Sequence, residues 1–341
     1  MTPDLSVIIP VYNRGKLIHH TLESVRRASP GLAVEVVIVD DGSDRPAAEA
    51  IAGLGYRPEK IIRQPNRGLL FARLAGLAAA SGRHLVFLDS DDLVSPEKFR
   101  LQVGAMDAAS AEVSYTDTAH GTIDGEYDQL VFTADEPLAA TDDPARFFIT
   151  VQPPPHAPVF RTDWLRTVVN GAFFPPSPLY NQVAEIWFYH NAATRAARVV
   201  KVDGPHTIVG RHPGARLTDH WEKLAIASLA VMEAFARSCP RQPATAHARQ
   251  LVAEKAFRSW RRLPRGFSPE FGTRELGVWQ RLKCDRRLER LGGPVFQNLA
   301  RCLGPAGAGR LMRRWQNQPY AACRTLDEDT LDRLLAALPA P

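Results

Sequence analysis

Asp89, Asp91 and Asp92 place three carboxylates within four positions, directly after the apolar run Leu85-Val86-Phe87-Leu88. Such a cluster repels itself unless a cation or a strong donor sits among it. Asp-x-Asp offers hard oxygen ligands to Mg²⁺ or Mn²⁺, metals that take one or two carboxylates and complete their shells with water and phosphate oxygens. The plainer role of the same residues is an acidic turn before a helix, since Ser95-Pro96-Glu97 is a good helix start. Two further polar clusters precede this one. Tyr12 offers a ring, Asp40 and Asp41 offer acceptors for a base N–H or for ribose hydroxyls, and Arg73 offers a planar donor fork. Each has an ordinary structural reading when taken alone, Tyr12 as a turn aromatic and Arg73 as a surface cation. Their joint order is the equipment for a nucleotide whose diphosphate is led to a metal at Asp89 and Asp91.

The elements that must position these residues are legible. Leu5–Val11 is a buried strand broken by Tyr12-Asn13-Arg14-Gly15, followed by a helix with Leu17, Ile18, Leu22 and Val25 at helical spacing. Val34–Val39 is a second strand, ending in Asp40-Asp41-Gly42-Ser43-Asp44. A short helix near 46–54, a strand near 60–63, a helix from Gly68 to Ala80 and the strand 85–88 complete the series. Strands alternating with helices imply a parallel sheet with right-handed crossovers. The polar loops then share the C-terminal edge of that sheet, where open α/β folds bind ligands. No G-x-G-x-x-G follows the first strand, which argues against a dehydrogenase-type dinucleotide site.

The chain has 341 residues, 45% of them apolar, enough for one large or two medium cores. No basic-then-apolar leader precedes the first strand and no apolar run reaches membrane-spanning length, so a soluble cytoplasmic protein is expected. Four well-separated cysteines, Cys239, Cys284, Cys302 and Cys323, are expected to be reduced. The net charge of +5 is divided unevenly: residues 221–341 carry 21 Lys/Arg against 11 Asp/Glu.

Ser6–Asn13, Val39–Ser43, Asn66-Arg67-Gly68 with Ala72-Arg73, and Ala80-Ser81-Gly82 leading to Phe87–Asp92 resemble the family 2 glycosyltransferases. The likeness is strong over about residues 4–105 and weaker to about 215. It implies an α/β GT-A (Rossmann-like) fold, a mostly parallel sheet flanked by helices, an inverting mechanism and a nucleotide-sugar donor, with a UDP-sugar first and GDP or dTDP open. It implies donor contacts from Pro10, Tyr12, Asp40, Asp41, Arg73 and Asp89, and a Mn²⁺ or Mg²⁺ held by Asp91, with Asp89 directly or at one remove. Arg211-His212-Pro213-Gly214 resembles the family's segment ending in His-Pro-Gly, so His212 is a candidate to complete the metal shell or to donate to the diphosphate.

On the acceptor side the family usually shows a Glu-Asp pair just before an aromatic, and this chain has Ala184-Glu185-Ile186-Trp187. Isoleucine cannot take a proton, so Glu185 is the candidate base. The alternatives are Asp163 or Asp203 in a shifted alignment, or a site that binds nucleotide-sugar or glycan without transfer. His156 is a lesser candidate to face the acceptor. Between these segments, Glu112–Thr116 reads as a strand followed by an antiparallel extension over 117–140, Ala157–Arg161 as another strand, and Thr162–Gly171 as a helix.

The expected organisation is a nucleotide-sugar-binding half at 1–110, an acceptor-binding half at 111–216 and a helical basic region at 217–341. In the last, Leu217, Trp221, Leu224, Ser228, Val231 and Phe235 form one helical stripe and Ala248, Leu251, Ala256, Trp260 and Leu263 a second. Helical patterns recur at about 274–291, 295–303 and 307–316. Arg258–Arg262 and Arg310–Trp315 mix basic and aromatic residues. Solvated helix faces explain these first, contact with an anionic membrane surface or lipid-linked acceptor second, and nucleic acid only a distant third. The function expected is sugar transfer to a glycan, lipid-linked or other hydroxyl acceptor in bacterial surface-polysaccharide or glycoconjugate synthesis. A different Mg²⁺ enzyme, such as a phosphoryl transferase, is disfavoured by the absence of a P-loop.

Overall fold

The computed structural model describes residues 2–340 apart from 16, 55, 56, 124, 213, 215–218 and 286. Two compact units emerge, Met1–Ala172 with Arg195–Gly214, and Phe173–Thr194 with Ala215–Pro341. The stretch 173–194, expected in an acceptor-binding half, groups with the C-terminal helices.

The first unit is built on one nine-stranded sheet in the order β3 (Lys60–Arg63), β2 (Val34–Asp40), β1 (Leu5–Val11), β4 (His84–Phe87), β8 (Val159–Arg161), β6 (Val113–Thr122), β9 (Val199–Arg211) and β5 (Leu93–Val94), with β7 (Thr133–Ala134) beside β6. β1 (Leu5–Val11), β2 (Val34–Asp40), β3 (Lys60–Arg63) and β4 (His84–Phe87) are mutually parallel, with Val7 opposite both Val36 and Val86. α1 (Ile18–Ala28), α2 (Ala47–Ile51) and α3 (Leu69–Ala79) connect them. Because side chains alternate along a strand, Val7, Ile9 and Val11 face a core shared with Ile18, Leu22 and Val25 of α1. Ile8 faces the opposite side, where Gly76 of α3 lies against it.

The other half of the sheet is mixed. β5 (Leu93–Val94) precedes α4 (Lys98–Ala109), which leads to β6 (Val113–Thr122) and β7 (Thr133–Ala134). A short turn, α5 (Pro144–Arg146), precedes β8 (Val159–Arg161) and α6 (Thr162–Asn170). β8 runs antiparallel to both β4 and β6, whereas β9 (Val199–Arg211) runs parallel to β6 and antiparallel to β5. β6 is twice as long as expected, and Val199–Arg211 form the single strand β9. Gly204 carries that strand through a positive φ of 110°.

A buried carboxylate ties the parallel strands together. Glu35 of β2 accepts from Ser6 Oγ (2.5 Å), Lys60 Nζ (2.7 Å) and the backbone N–H (2.8 Å) and hydroxyl (2.7 Å) of Ser81. Burial pushes its pKa up, but Lys60 and these donors win and hold it at about 2. Glu35→Ala is expected to cost about 3 kcal/mol, because Lys60 and the seryl donors lose their acceptor. Since the folded pKa lies below the unfolded value of 4.5, the difference from wild type is present above pH 4.5 and shrinks as pH falls toward about 2. Denaturant titrations at pH 7 and pH 3 check both statements.

The second unit is helical: α7 (Ala184–Ala192), α8 (Trp221–Ser238), α9 (Pro243–Arg262), α10 (Pro269–Leu282), α11 (Pro294–Gln316) and α12 (Glu328–Ala336). Leu217 of the expected stripe lies outside the described residues. The expected break between 303 and 307 is a kink at Gly304 and Pro305 within α11. All four cysteines are free. α7 buries eight of its nine residues, Glu185 alone being only half-buried, so it needs apolar cover on every face. The adjoining α8 supplies part of that cover: His190 of α7 meets Phe235 of α8 edge-on at 5.5 Å. Among the described residues no helix is long and apolar enough to cross a membrane.

Glu275 of α10 is 1% exposed, and burial raises its pKa to about 8, Ser259 and the Arg313 charge only partly opposing. The folded state therefore holds a proton that the unfolded chain releases near 4.5, and stability falls as pH rises from 4.5 to about 8. Glu275→Gln is expected to melt with wild type at pH 5 and to be more stable at pH 9, by on the order of 2 kcal/mol. Thermal melts at the two pH values test it.

Candidate functional site

The loops that follow β1, β2 and β4 lie at the C-terminal edge of the parallel strands, and the end of β9 joins them. The first two are stitched together: Asn13 N donates to Ser43 Oγ (3.0 Å), its side-chain amide donates to Asp44 (3.1 Å), and Asp44 N donates back to Asn13 Oδ1 (2.9 Å). Tyr12 stands 49% exposed beside this clasp, available for a flat ligand to stack on. Pro10 is buried within β1 opposite Val39, so it shapes the strand rather than presenting a surface.

The acidic residues of the second loop act mainly on the backbone. Asp40 is 1% exposed and accepts from Ser43 N (2.9 Å) and Ala47 N (3.0 Å). Burial raises its pKa, but the Ala47 and Ser43 amides outweigh that and hold it below the ordinary carboxylate value. Asp41 accepts from Gln64 Nε2 (2.7 Å), Arg67 N (3.0 Å) and Gly68 N (2.7 Å), and so fixes the entry to α3. These residues, expected as nucleotide acceptors, hold the crevice in shape.

Arg73 is a correction. It was expected to offer its guanidinium to the nucleotide, yet it is 1% exposed and donates through Nη2 to Asp89 Oδ1 at 2.7 Å. The packing of α3 on the sheet draws the side chain inward over the Phe87 ring, 5.9 Å from its centroid. Arg73 thus orients Asp89, which keeps a quarter of its side chain exposed.

Asp91 meets the other end of the unit. His212 Nε2 lies 2.9 Å from Asp91 Oδ2, and Arg14 Nε lies 4.0 Å from the same oxygen. The close approach of β9 explains this pairing: a Cβ at Gly210 would fall 2.0 Å from the Asp91 carbonyl oxygen, so only glycine fits there. Asp92 secures the loop, accepting from Gly210 N (2.9 Å) while its backbone carbonyl accepts from Thr21 Oγ1 (2.9 Å).

His156 lies 3.2 Å from Asp92 and is fully enclosed, so it does not face an acceptor. Burial drives its pKa down to about 3, with the Lys98 and Arg73 charges assisting and Asp89 opposing, so it is neutral. Lys98 itself is buried under the site and donates to Thr207 Oγ1 (2.8 Å), the Ala157 carbonyl (3.1 Å) and Thr116 Oγ1 (3.3 Å). Arg14 and Lys98 were not given a role from the sequence, and Asp92 was read only as one member of the acidic cluster. The run Asp89–Asp92 already contained the signal for Asp92, since a third carboxylate in such a turn needs its own donors.

Among the described residues no three His, Cys, Asp or Glu side chains converge as a metal cage. Asp91 and His212 would supply two ligands to a metal bound here, and Asp89 is turned to Arg73. This donor set fits a hard divalent cation that arrives with a diphosphate and takes the remaining ligands from phosphate and water.

Glu185 stands in the first turn of α7, in the second unit, preceding Ile186 and Trp187, both buried. Trp187 Nε1 donates to the Phe174 carbonyl at 3.2 Å, which fixes the rotation of the helix. Lys255 of α9 is half-buried, and desolvation lowers its pKa to about 8 although the Glu185 charge opposes the shift. Of the alternative bases, Asp163 is 92% exposed beside Arg166, and Asp203 is 93% exposed beside Lys201.

Residues 6–165 match the family model Glycosyl transferase family 2. The chain is similar to the succinoglycan biosynthesis protein ExoO of Rhizobium meliloti, 36% identical over 124 residues that cover 36% of this chain and 35% of that protein. It is also similar to the putative glycosyltransferase EpsH of Bacillus subtilis, 38% identical over 99 residues and 28% of each chain. The matches thus span about a third of these curated relatives. Among solved structures, S. aureus TarS 1–349 in complex with UDP-GlcNAc shares the fold with a TM-score of 0.63, covering 95% of this chain and 93% of that one at 18% identity. The same TarS region in complex with UDP gives 0.61, covering 91% and 89% at 20% identity.

Proposed function

We infer from the family 2 glycosyltransferase domain that this chain carries over residues 6–165 that it transfers a sugar from a nucleoside-diphosphate donor to a hydroxyl acceptor during polysaccharide assembly. The observation that carries the reading is the meeting of Asp91 with His212, 121 residues apart in sequence, at the strand ends beside Tyr12. A UDP-sugar is the first donor to test, because the structural neighbours of like fold are described with UDP-GlcNAc and with UDP.

In this reading Tyr12 stacks on the base, while Asp40 and Asp41 hold the loops that shape its pocket. Arg73 keeps Asp89 aimed at the donor, and Asp91 and His212 hold Mn²⁺ or Mg²⁺. Once bound, the cation offsets charge accumulating on the departing nucleoside diphosphate. Glu185 is proposed to take the proton of the acceptor hydroxyl, which direct displacement with inversion requires. The exposed Val295, Leu303 and Trp315 of α11, together with Arg301, Arg310 and Arg314, suit peripheral contact with an anionic membrane carrying a lipid-linked acceptor. Nucleic acid has no part in this reading.

A second reading, binding of a nucleotide-sugar or glycan without transfer, draws on Ile186, which is buried where the family usually has an aspartate. Donor binding and hydrolysis across UDP-, GDP- and dTDP-sugars, with and without Mn²⁺ or Mg²⁺, separate the two. Metal-dependent turnover of one donor supports transfer, and binding without turnover supports the second reading. Absence of binding to every donor overturns both.

A further inference from the structure

The second unit contains a cavity of about 450 Å³ between the start of α9 and the end of α10. Its lining includes Arg241, Arg249, Arg281 and Lys283, together with Pro243 and Cys284, and no carboxylate. None of the four cations meets a carboxylate among the described residues. Elsewhere in the unit comparable cations are matched: Arg274 reaches Glu233 at 2.6 Å and Arg290 reaches Glu254 at 3.3 Å.

The geometry holds these charges together rather than letting them disperse. Arg249 is 4% exposed and donates to the Cys239 carbonyl (2.7 Å) and the Arg281 carbonyl (3.3 Å). Arg241 donates to that same Arg281 carbonyl at 3.3 Å. Lys283 is fixed over the Trp279 ring, 4.3 Å from its centroid. A guanidinium has five N–H donors, so both arginines keep donors to spare. The 20-residue helix α9 also turns its positive end toward the cavity at Pro243. Like charges held this close repel one another, and an anion among them relieves the repulsion while accepting the remaining N–H groups.

We propose that this cavity binds a phosphate-class anion, with a diphosphate the form that engages several of its cations at once. The volume lies within the roughly 300–1,000 Å³ of small-molecule sites. Two sources share this chemistry, a soluble or acceptor-borne diphosphate and the phosphate headgroups of a membrane.

Inorganic pyrophosphate titrated calorimetrically into the full chain, in EDTA and at low salt, supplies the first arm. Flotation with phosphatidylglycerol vesicles supplies the second. Arg241 and Arg281 are exposed, so Arg241→Ala/Arg281→Ala leaves the packing intact, and Arg26→Ala/Arg333→Ala, exposed on α1 and α12, controls for charge alone. Binding is expected to weaken about ten-fold or more in the first pair and to be unchanged in the second and in Asp91→Ala. Pyrophosphate is also expected to slow maleimide reaction at the exposed Cys284, read by peptide mass spectrometry. Loss confined to the pyrophosphate arm supports a diphosphate ligand, and loss confined to flotation supports a headgroup. The proposal is overturned if neither arm responds to Arg241→Ala/Arg281→Ala, or if only Asp91→Ala abolishes binding, which would assign pyrophosphate to the first unit.

Discussion

Asp91→Ala is expected to lower kcat/KM by about 10³-fold with whichever donor is used, at little cost in stability. The asymmetry with its neighbour supports that expectation. Asp92 is 6% exposed and holds the Gly210 amide, so its loss would loosen the loop itself. Asp91 is 20% exposed, and among the described residues its carboxylate meets the side chains of His212 and Arg14 and no backbone amide. Its carboxylate is thus available to a ligand. Initial rates of nucleotide release at several Mn²⁺ concentrations, with thermal melts as the control, give the answer. A variant that keeps more than about a tenth of wild-type activity would sink the assignment of Asp91 to the diphosphate and its cation.

Glu185→Gln is expected to lower kcat by about 10²- to 10⁴-fold while the donor Kd stays close to that of wild type, because a general base acts on the acceptor and not on donor binding. Lys255 sets up the competing outcome. Desolvation draws the pKa of that lysine down to about 8, and the Glu185 charge opposes the shift. If Glu185 serves only as its counter-charge, the substitution lowers the melting temperature near pH 7 and leaves kcat in place. Rates, donor affinity and melts on one preparation therefore separate a base from a structural partner. A stable Glu185→Gln enzyme with undiminished kcat would move the proton transfer to another group.

The parallel half of the first unit was legible because β1, β2 and β4 are predominantly apolar runs, which a sheet covered on both faces demands. The roles of Asp40 and Asp41 were not, since their partners are backbone amides of residues up to 27 positions away, which side-chain chemistry does not announce. Arg73 misled for a related reason: an arginine on a helix reads as exposed until the helix is seen to press it onto Asp89. His212 could be matched with Asp91 only through resemblance, because nothing local joins residues 121 apart. Stretch 173–194 was read as continuing the acceptor half, but α7 is apolar on nearly every face and segregates with the helices that cover it.

The Glu35 junction has a consequence for the kinetics of folding. Its partners lie 29, 25 and 46 residues away along the chain, so each bond waits on the closure of its own long loop and the full set on the closure of all three. Interactions assembled that late are absent from the transition state, and removing them leaves the folding rate alone while accelerating unfolding. The carboxylate therefore acts as a latch on the finished sheet, setting how long the native state lasts once made rather than how fast it is reached.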